Sequence, residues 1–339
     1  MPEIRAGIIG TGGIGTQHAT ALRSLGVAVT ACYGTNPSKV AAFADAFGAQ
    51  VFDDPATMVS SEHVDVLFIA VPPYAHDGSV EQIAVHAGVP FLVEKPIGLD
   101  PEICLRTARA IEARGLVTAV GYMLREVPAL GELRSVAARN RFASVRSLRA
   151  TEFPQARWWR RMDESGGMMV EQATHMADLL RHVFGEIKAV AAATSSGIGP
   201  DRWEGSDVYD AMETVIRFES GLVGSMSISN VLNNGFRRVD ILEAFGADCY
   251  ISLDFERLLY QEGQGEWVRR DVPDHLSLLA AQDRRFLDAV ASGDPGAVGC
   301  SYADGLRTLE LTLAMTEAAR VGGWVAVPDR LASTRRAEA

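Results

Sequence analysis

Two groups of polar side chains in this sequence are spaced so that they could do chemistry. The first lies in Leu92-Val93-Glu94-Lys95-Pro96, where a carboxylate and a lysine follow a short apolar run. Ligands of parallel sheets bind outside the carboxyl ends of the strands, so a lysine there is expected to point into the ligand crevice. Surface lysines are common, but the position at the end of a predicted strand favours a binding role. Pro96 indicates a fixed turn, for which a cis peptide bond is one solution.

The second group is a carboxylate and an imidazole four residues apart, Glu171 and His175. Residues 166–184 are predicted to form one helix, on which this spacing brings the two side chains within reach. One face carries an apolar stripe and the opposite face a polar one. The apolar residues are Met169, Ala173, Met176, Leu180 and Val183, and the polar residues are Glu171, His175, Asp178 and His182.

The polar stripe has two interpretations, a solvated helix face and a ligand site. Gly166 and Gly167 open the helix where a ligand could approach, and residues 158–161 (Trp-Trp-Arg-Arg) offer apolar walls and positive charge. These features favour the ligand site. An imidazole is suited to proton transfer because its pKa lies near working pH. Asp178 is interpreted as structural.

A glycine-rich turn near the N-terminus predicts a dinucleotide site. The motif Gly10-Thr11-Gly12-Gly13-Ile14-Gly15 has the pattern G-x-G-x-x-G. It lies between a buried strand and a helix, the context that gives this pattern meaning. The first glycine permits a tight turn, the second lets the backbone approach a pyrophosphate, and the third lets helix and strand pack. The helix N-terminus adds free N–H groups and partial positive charge.

The end of the second strand bears on which nicotinamide coenzyme binds. An Asp or Glu there would hold the ribose 2′-hydroxyl of NAD. No carboxylate appears before Asp45, and Gly34 leaves room for a larger group. Side chains suited to a 2′-phosphate follow at Thr35, Asn36, Ser38 and Lys39. We therefore predict that NADP(H) is favoured over NAD(H); the alternative is an ordinary turn with a solvated lysine.

The elements that must position these residues fall into two halves. In residues 1–122, short apolar strands alternate with helices, which predicts the doubly wound parallel sheet of a Rossmann domain, an α/β fold. The strands are predicted at residues 5–10, 27–33, 64–71, 89–94 and 116–120.

After residue 122 the pattern changes to strands joined by tight turns. The strands are predicted at residues 145–153, 187–195, 209–219, 222–229, 237–245 and 248–255. Residues 123–330 are thus expected to form an α+β domain with a large, mostly antiparallel sheet. Long helices are predicted near residues 166–184 and 275–291. A last helix, at about 302–321, is expected to pack back on the Rossmann domain.

Composition excludes several classes of protein. The chain has 339 residues, 47% of them hydrophobic, and a net charge of -11. The length suits two domains, and the acidic balance argues against a nucleic-acid partner. The first residues lack the pattern of a signal peptide, and no apolar run reaches the roughly 18 residues of a membrane helix, so a cytoplasmic protein is expected. The four scattered cysteines and the lack of H-E-x-x-H predict no metal site.

Together the motifs resemble the Gfo/Idh/MocA oxidoreductases, the glucose–fructose oxidoreductase and inositol dehydrogenase group. The resemblance extends over nearly the whole chain, in order, and is specific to the family but not to a substrate. It rests on the glycine motif, on Val71-Pro72-Pro73-Tyr74-Ala75-His76, on Glu94-Lys95-Pro96, on Gly121-Tyr122 with Arg125, and on Gly166-Gly167 through Thr174-His175-Met176-Ala177-Asp178. Glu171 stands where the family usually has Asp, and Gly34 where NAD-using members often carry Asp.

The resemblance implies an NAD(P)-dependent enzyme that transfers a hydride between the nicotinamide and a secondary alcohol or ketone of a sugar or polyol. Lys95 and His175 would be the catalytic residues, with Lys95 stabilising charge on the substrate oxygen and His175 exchanging the hydroxyl proton. Glu171 would orient His175 or bind a neighbouring hydroxyl. Further expected coenzyme contacts are Val71, Pro72, His76 and Glu94, and expected substrate contacts are Tyr122, Arg125, Trp158 and Arg161.

Two other functions stay open from the sequence. One is an enzyme that uses bound NAD transiently for elimination or glycoside cleavage, and the other is a non-catalytic NAD(P)-sensing regulator. Intact Lys95 and His175 argue against the regulator, because a sensor needs neither an acid nor a base. The large sheet should leave a broad face to cover, and the resemblance suggests a homodimer or homotetramer that packs through it.

Overall fold

The computed structural model describes residues 4–60, 62–152, 155–233 and 235–332, and the chain divides into two compact units. The first unit combines the described residues up to Glu126 with His275–Leu306. The second combines Val127–Asp274 with the described residues from Arg307 onward. A boundary at residue 122 would place residues 275–306 in the second domain, whereas they belong to the first unit.

The first unit is built on a six-stranded sheet in which every pair of neighbouring strands is parallel. Its strands are β1 (Arg5–Ile9), β2 (Ala28–Tyr33), β3 (Gln50–Val51), β4 (Val66–Ile69), β5 (Phe91–Val93) and β6 (Thr118–Val120). Their order across the sheet is β3-β2-β1-β4-β5-β6, so the direction of winding reverses between β1 and β4. This is the predicted doubly wound arrangement, in which ligands bind at the carboxyl edge near the reversal.

Five helices connect these strands, and local sequence signals explain where they begin and end. They are α1 (Gly13–Ser24), α2 (Pro37–Phe47), α3 (Pro55–Ser60), α4 (Ser79–Ala87) and α5 (Pro101–Arg114). Helix α5 shows the signals clearly. The Asp100 carboxylate accepts a hydrogen bond from the Glu102 amide at 2.8 Å, Pro101 occupies the first helical position, and Gly115 ends the helix with a left-handed φ of 61°.

The second unit is built on a nine-stranded sheet. Its strands are β7 (Phe142–Glu152), β8 (Ile187–Ser195), β9 (Ala211–Phe218), β10 (Val223–Leu232), β11 (Val239–Gly246), β12 (Cys249–Asp254), β13 (Arg257–Glu262), β14 (Val268–Asp271) and β15 (Val325–Ala326). The order is β14-β13-β12-β11-β7-β10-β9-β8-β15, and all pairings except the parallel pair β7–β10 are antiparallel. The predicted sheet is confirmed, with β13, β14 and β15 as strands that were not predicted. Residue 153, the last of one predicted strand, lies outside the described residues.

One face of this sheet is buried and the other is not. Along β9, Met212, Thr214, Ile216 and Phe218 are buried, while Glu213, Val215 and Arg217 between them are exposed. The same alternation continues along the neighbouring β10. Such alternation is typical of an antiparallel sheet with one face packed on a core.

The helices between these strands are α6 (Leu130–Arg139), α7 (Met162–Ser165), α8 (Gly167–Glu171), α9 (Thr174–Phe184) and α10 (Ile198–Arg202). The single helix predicted over residues 166–184 is wrong, because α8 ends at Glu171 and α9 begins at Thr174. At this break the amide of Ala173 donates to the carbonyl of Met168 at 2.8 Å, a longer-range bond than an α-helix makes. Helix α6 was also not predicted.

Two long helices complete the chain, α11 (His275–Ser292) and α12 (Tyr302–Val321). Helix α11 belongs to the first unit, where Phe286 and Leu287 join the hydrophobic core formed by β1, β4 and α1. Phe286 packs edge-on against Phe68 of β4 at 5.6 Å between ring centroids. Burial of one such aromatic side chain stabilises the fold by roughly 1.5–3 kcal/mol.

Candidate active site

The glycine motif forms the turn between β1 and α1, and the backbone explains its glycines. Gly10 has a φ of 99°, and a Cβ atom there would lie 2.2 Å from the carbonyl oxygen of Ala70. A Cβ atom at Gly15 would lie 2.0 Å from the carbonyl oxygen of Gly10. Around Gly12 and Gly13, by contrast, an added Cβ would meet no described heavy atom within 4 Å apart from the adjoining residues of the same turn and helix. Two glycines therefore pack tightly, and two leave space beside the turn.

The amino end of α1 is open to a ligand of negative charge. Gly12 precedes the helix without a side-chain cap, and the first turn contains no acidic residue. The first N–H groups of a helix have no partner within the helix and carry partial positive charge, which suits a phosphate. Space beside Gly12 and Gly13 and an uncapped helix end thus fit the pyrophosphate of a dinucleotide. Of the other motif residues, Thr11 is buried and Ile14 is partly exposed.

The loop after β2 carries the residues predicted to select the coenzyme. Thr35, Asn36, Ser38 and Lys39 are all exposed. The Asn36 side-chain oxygen accepts hydrogen bonds from the Ser38 hydroxyl at 2.8 Å and from the Lys39 amide at 3.1 Å. Asn36 therefore caps α2, a structural role beside the predicted one. A Cβ atom at Gly34 would lie 2.8 Å from the Thr11 hydroxyl, so this position is close to the glycine motif.

The segment after β4 contains two predicted coenzyme contacts that are partly exposed and one that is buried. Val71 and Pro72 are partly exposed, whereas His76 is buried and its Nδ1 lies 2.8 Å from Glu81 Oε1. His76 thus has an internal partner within the first unit, although the sequence suggested a coenzyme contact.

Lys95 directly follows β5, as predicted, and is partly exposed. The peptide bond between Lys95 and Pro96 is cis. Only β4 lies between β1 and β5 in the sheet. Since neighbouring strands are about 4.8 Å apart, the ends of β1 and β5 lie roughly 10 Å apart at the same edge. The glycine motif and Lys95 therefore share one edge of the first unit.

Glu94 lies beneath this edge and is buried. One of its oxygens, Oε2, accepts a hydrogen bond from the Lys95 amide at 3.2 Å, and Oε1 lies 3.1 Å from Nε2 of His18. The coenzyme contact suggested for Glu94 stays a prediction, and its contacts within the protein are with His18 and the Lys95 amide. His18 itself was not singled out from the sequence.

In the second unit, Glu171 and His175 lie on either side of the break between α8 and α9. The two residues therefore do not lie on one continuous helix, contrary to the prediction. Glu171 is 4% exposed, and His175 is partly exposed. The polar stripe is not a solvated face, because Asp178 is also buried and accepts a hydrogen bond from the Thr308 hydroxyl at 2.8 Å.

A buried arginine on β7 supports this break. Arg149 donates from Nη2 to the Gln172 side-chain oxygen at 2.7 Å and pairs with Asp240. Burial lowers the pKa of Arg149, while the charges of Asp240 and Glu171 act in the opposite direction. Arg149 was not predicted from the sequence. Its signal was an arginine at an inward-facing position of an alternating strand, where a charged residue is rarely buried without a partner.

The predicted substrate contacts have different surroundings. Tyr122 and Arg125 are buried in the first unit, and Arg125 donates to the Gly299 carbonyl at 3.1 Å and pairs with Asp304. The contacts shown for Arg125 are therefore internal. Trp158 and Arg161 are partly exposed in the second unit, where Trp158 packs edge-on against Trp159 at 5.4 Å. Arg161 pairs with Asp163 and Asp207 at 3.4 and 3.3 Å.

Metal clusters and membrane-spanning helices are both absent from the described part of the chain. No cluster of three or more His, Cys, Asp or Glu side chains there is arranged to hold a metal ion. None of the helices there combines the length and hydropathy that crossing a bilayer requires.

Comparison with known proteins identifies the family. The model of the GFO/IDH/MocA oxidoreductase family, NAD-binding Rossmann fold, matches residues 4–122, and that of the GFO/IDH/MocA C-terminal domain matches residues 125–247. The inositol 2-dehydrogenase of Acidothermus cellulolyticus is 30% identical over 333 residues, which cover 94% of this chain and 93% of that protein. The chain belongs to the Gfo/Idh/MocA oxidoreductase family. The predicted resemblance is thereby confirmed.

Other members of the Gfo/Idh/MocA family match over similar lengths. The levoglucosan dehydrogenase of Pseudarthrobacter phenanthrenivorans is 24% identical, with 97% of this chain and 99% of that protein covered. A solved structure of levoglucosan dehydrogenase in complex with NADH and L-sorbose superimposes with a TM-score of 0.87 at 23% identity. It covers 97% of this chain and 100% of its own. The protein is therefore an oxidoreductase whose first unit is an NAD-binding Rossmann fold.

Proposed function

We propose that this protein transfers a hydride between a nicotinamide coenzyme and a secondary alcohol or ketone of a sugar, polyol or sugar derivative. The observation that carries the proposal is the partly exposed Lys95 at the carboxyl edge that also bears the open glycine motif. The relatives named inositol 2-dehydrogenase and levoglucosan dehydrogenase support a substrate that is rich in hydroxyl groups.

Each of the three proposed catalytic residues has its own role. Lys95 donates a hydrogen bond to the substrate oxygen and stabilises the negative charge that develops on it. His175 accepts the hydroxyl proton in oxidation and returns it in reduction. Glu171, buried beside the break between α8 and α9, orients His175 or binds a neighbouring hydroxyl. The nicotinamide, when bound, supplies the hydride chemistry.

For the coenzyme, we propose that NADP(H) is favoured over NAD(H). The support is the Gly34 position, which has no carboxylate, and the exposed Thr35 and Lys39 beside it. Lys39 offers a positive charge to a 2′-phosphate. The Asn36 side chain is occupied in part as the cap of α2, so Thr35 and Lys39 carry most of the proposal.

For the substrate, we propose that Trp158 and Arg161 contribute to binding. An aromatic ring beside an arginine suits the apolar face and the hydroxyl or anionic groups of a carbohydrate derivative. Tyr122 and Arg125 are weaker candidates, because both are buried within the first unit.

The experiment is a turnover assay of the purified full-length protein with myo-inositol, levoglucosan and L-sorbose, each with NAD(H) and NADP(H). A change in absorbance at 340 nm stoichiometric with product is expected for at least one of these substrates. Lys95→Ala should lower kcat by about 100-fold, the scale of a lost acid–base or charge-stabilising group, with the coenzyme dissociation constant nearly unchanged. Lys188→Ala, at an exposed lysine of β8, is the matched control.

Two results would contradict the proposal. Near-normal turnover in Lys95→Ala would show that Lys95 is not a catalytic residue. Turnover without added coenzyme, by protein that keeps a tightly bound dinucleotide, would instead support transient use of the coenzyme in elimination or glycoside cleavage.

A further inference from the structure

The buried imidazole of His18 lies between two carboxylates in the first unit. His18, on α1, is completely buried. Its Nδ1 lies 3.0 Å from both oxygens of Asp283 on α11, and its Nε2 lies 3.1 Å from Oε1 of Glu94, at the end of β5. A carboxylate only accepts hydrogen bonds, so the imidazole serves both partners only when both of its nitrogens carry a proton.

The charge of the imidazole follows from these partners. Burial lowers the pKa of His18, but the charges and hydrogen bonds of Asp283 and Glu94 outweigh it and raise the pKa to about 10. The neighbouring strand β4 presents the uncharged ring of Phe68, 5.3 Å away. Burial raises the pKa of Asp283, while the charge and hydrogen bond of His18 act in the opposite direction. With both carboxyl groups ionised, the geometry holds His18 as an imidazolium between two different elements.

Glu94 transmits this contact to the proposed catalytic lysine. Its second oxygen accepts a hydrogen bond from the Lys95 amide. The carboxylate also lies flush against Gly121, where an added Cβ would come within 2.3 Å of Oε1. Glu94 thus has little freedom to move as long as His18 holds it.

We propose that His18 is a positioning residue, whose imidazolium fixes Glu94 and, through it, the Lys95 backbone relative to the helix that begins at the glycine motif. This inference rests on the catalytic role proposed for Lys95. Stability alone is a poor explanation for the cluster, because a buried ion pair is often no more stabilising than apolar residues of similar volume. The charged cluster instead fixes the position of Lys95 relative to the glycine-motif turn.

Two substitutions of His18 separate its two contacts. In His18→Asn, the amide nitrogen can replace Nδ1 and keep the bond to Asp283, but the bond to Glu94 is lost. In His18→Gln, the longer side chain places its amide nitrogen near the position of Nε2 and keeps the bond to Glu94. Both variants lose the positive charge and one of the two hydrogen bonds of His18, so their melting temperatures should fall by similar amounts.

The assay measures kcat and KM of the full-length protein with the fastest of the three substrates named above, and the coenzyme dissociation constant. His18→Asn should lose at least about tenfold in kcat, since small displacements of a catalytic group have effects on this scale, while His18→Gln stays within about threefold of the wild type. Equal kcat values in the two variants, or losses that follow only the melting temperature, would overturn the inference.

A measurement without turnover tests the charge directly. In ¹⁵N-histidine-labelled protein, both His18 ring nitrogens should stay protonated up to a pH of about 10, and His18→Asn assigns the signals. In Asp283→Asn this transition should move to lower pH by at least about one unit, because the closest carboxylate is gone. A neutral His18 at pH 8 in the wild type would overturn the inference.

The outcomes distinguish this inference from the proposed function. If Lys95→Ala keeps its activity, the proposed function fails, and the role of His18 fails with it. If Lys95→Ala is inactive and His18→Asn is as active as the wild type, only the positioning role fails.

Discussion

Lys39 is the side chain whose charge should distinguish the two coenzymes. It is exposed at the start of α2, next to Thr35 and the capping residue Asn36. Lys39→Ala should weaken NADPH binding by about tenfold, the loss of one charge-assisted hydrogen bond, and change NADH binding by less than about twofold. Calorimetric titrations of both coenzymes measure this, with Lys188→Ala as control. An equal effect on both coenzymes, or tighter binding of NADH by the wild type, would contradict NADP selection.

At the level of single residues, the positions of local motifs could be predicted from the sequence, whereas contacts between residues far apart in the sequence could not. The glycine motif and Lys95 lie at the predicted positions. Each directly follows a single strand, β1 or β5, so a short segment of sequence determines its position. His18 was missed because its partner Asp283 is 265 residues away in the sequence. Arg125 was expected at a substrate, and its contact with Asp304, 179 residues away in the sequence, lies within the first unit.

Among the elements, the break between α8 and α9 has the most direct bearing on the proposed chemistry. Gln172 lies at this break, and its bond to Arg149 connects it to β7. Gln172→Met keeps the length of the side chain but removes the acceptor oxygen. We expect kcat to fall by about tenfold because Glu171 and His175 are displaced, with the coenzyme dissociation constant unchanged.

The control for this prediction is Gln261→Met, on β13 of the same sheet. It removes an exposed side-chain hydrogen bond to the carbonyl of Gly265. Equal kcat values for Gln172→Met and the wild type would show that the break holds its shape without Arg149.

The elements that the sequence did not predict share a physical cause. Apolar spacing continues through Met169, Ala173 and Met176, so periodicity cannot reveal a break that depends on backbone hydrogen bonds and on Arg149. Strand β14 has the sequence Val-Arg-Arg-Asp at the edge of the sheet, and it lacks the apolar alternation that marks a half-buried strand. Strand β9 was predicted because its residues do alternate between a buried and an exposed face.

For the whole molecule, the open face of the nine-stranded sheet should determine the assembly state. Leu148, Val215 and Val223 are 39%, 51% and 47% exposed on β7, β9 and β10. We expect a homodimer or homotetramer that covers this face, since exposed apolar patches commonly mark interfaces. Val215→Glu should therefore lower the mass measured by light scattering after size exclusion. Val51→Glu, at an equally exposed residue of β3, should not. An unchanged mass in Val215→Glu would contradict this interface.

The two-segment composition of the first unit has a consequence for biosynthesis. Asp283 and Phe286, which complete the core around α1, are translated only after all the strands from β7 to β14. A nascent chain that ends before His275 therefore leaves the inner face of α1 uncovered, although the Rossmann strands have long left the ribosome. Neither unit is fully synthesised until residues beyond His275 have emerged, so the first unit cannot complete its core before most of the second has been translated. The apolar residues of α1 that pack on α11 therefore stay exposed on the nascent chain until this late segment has been synthesised.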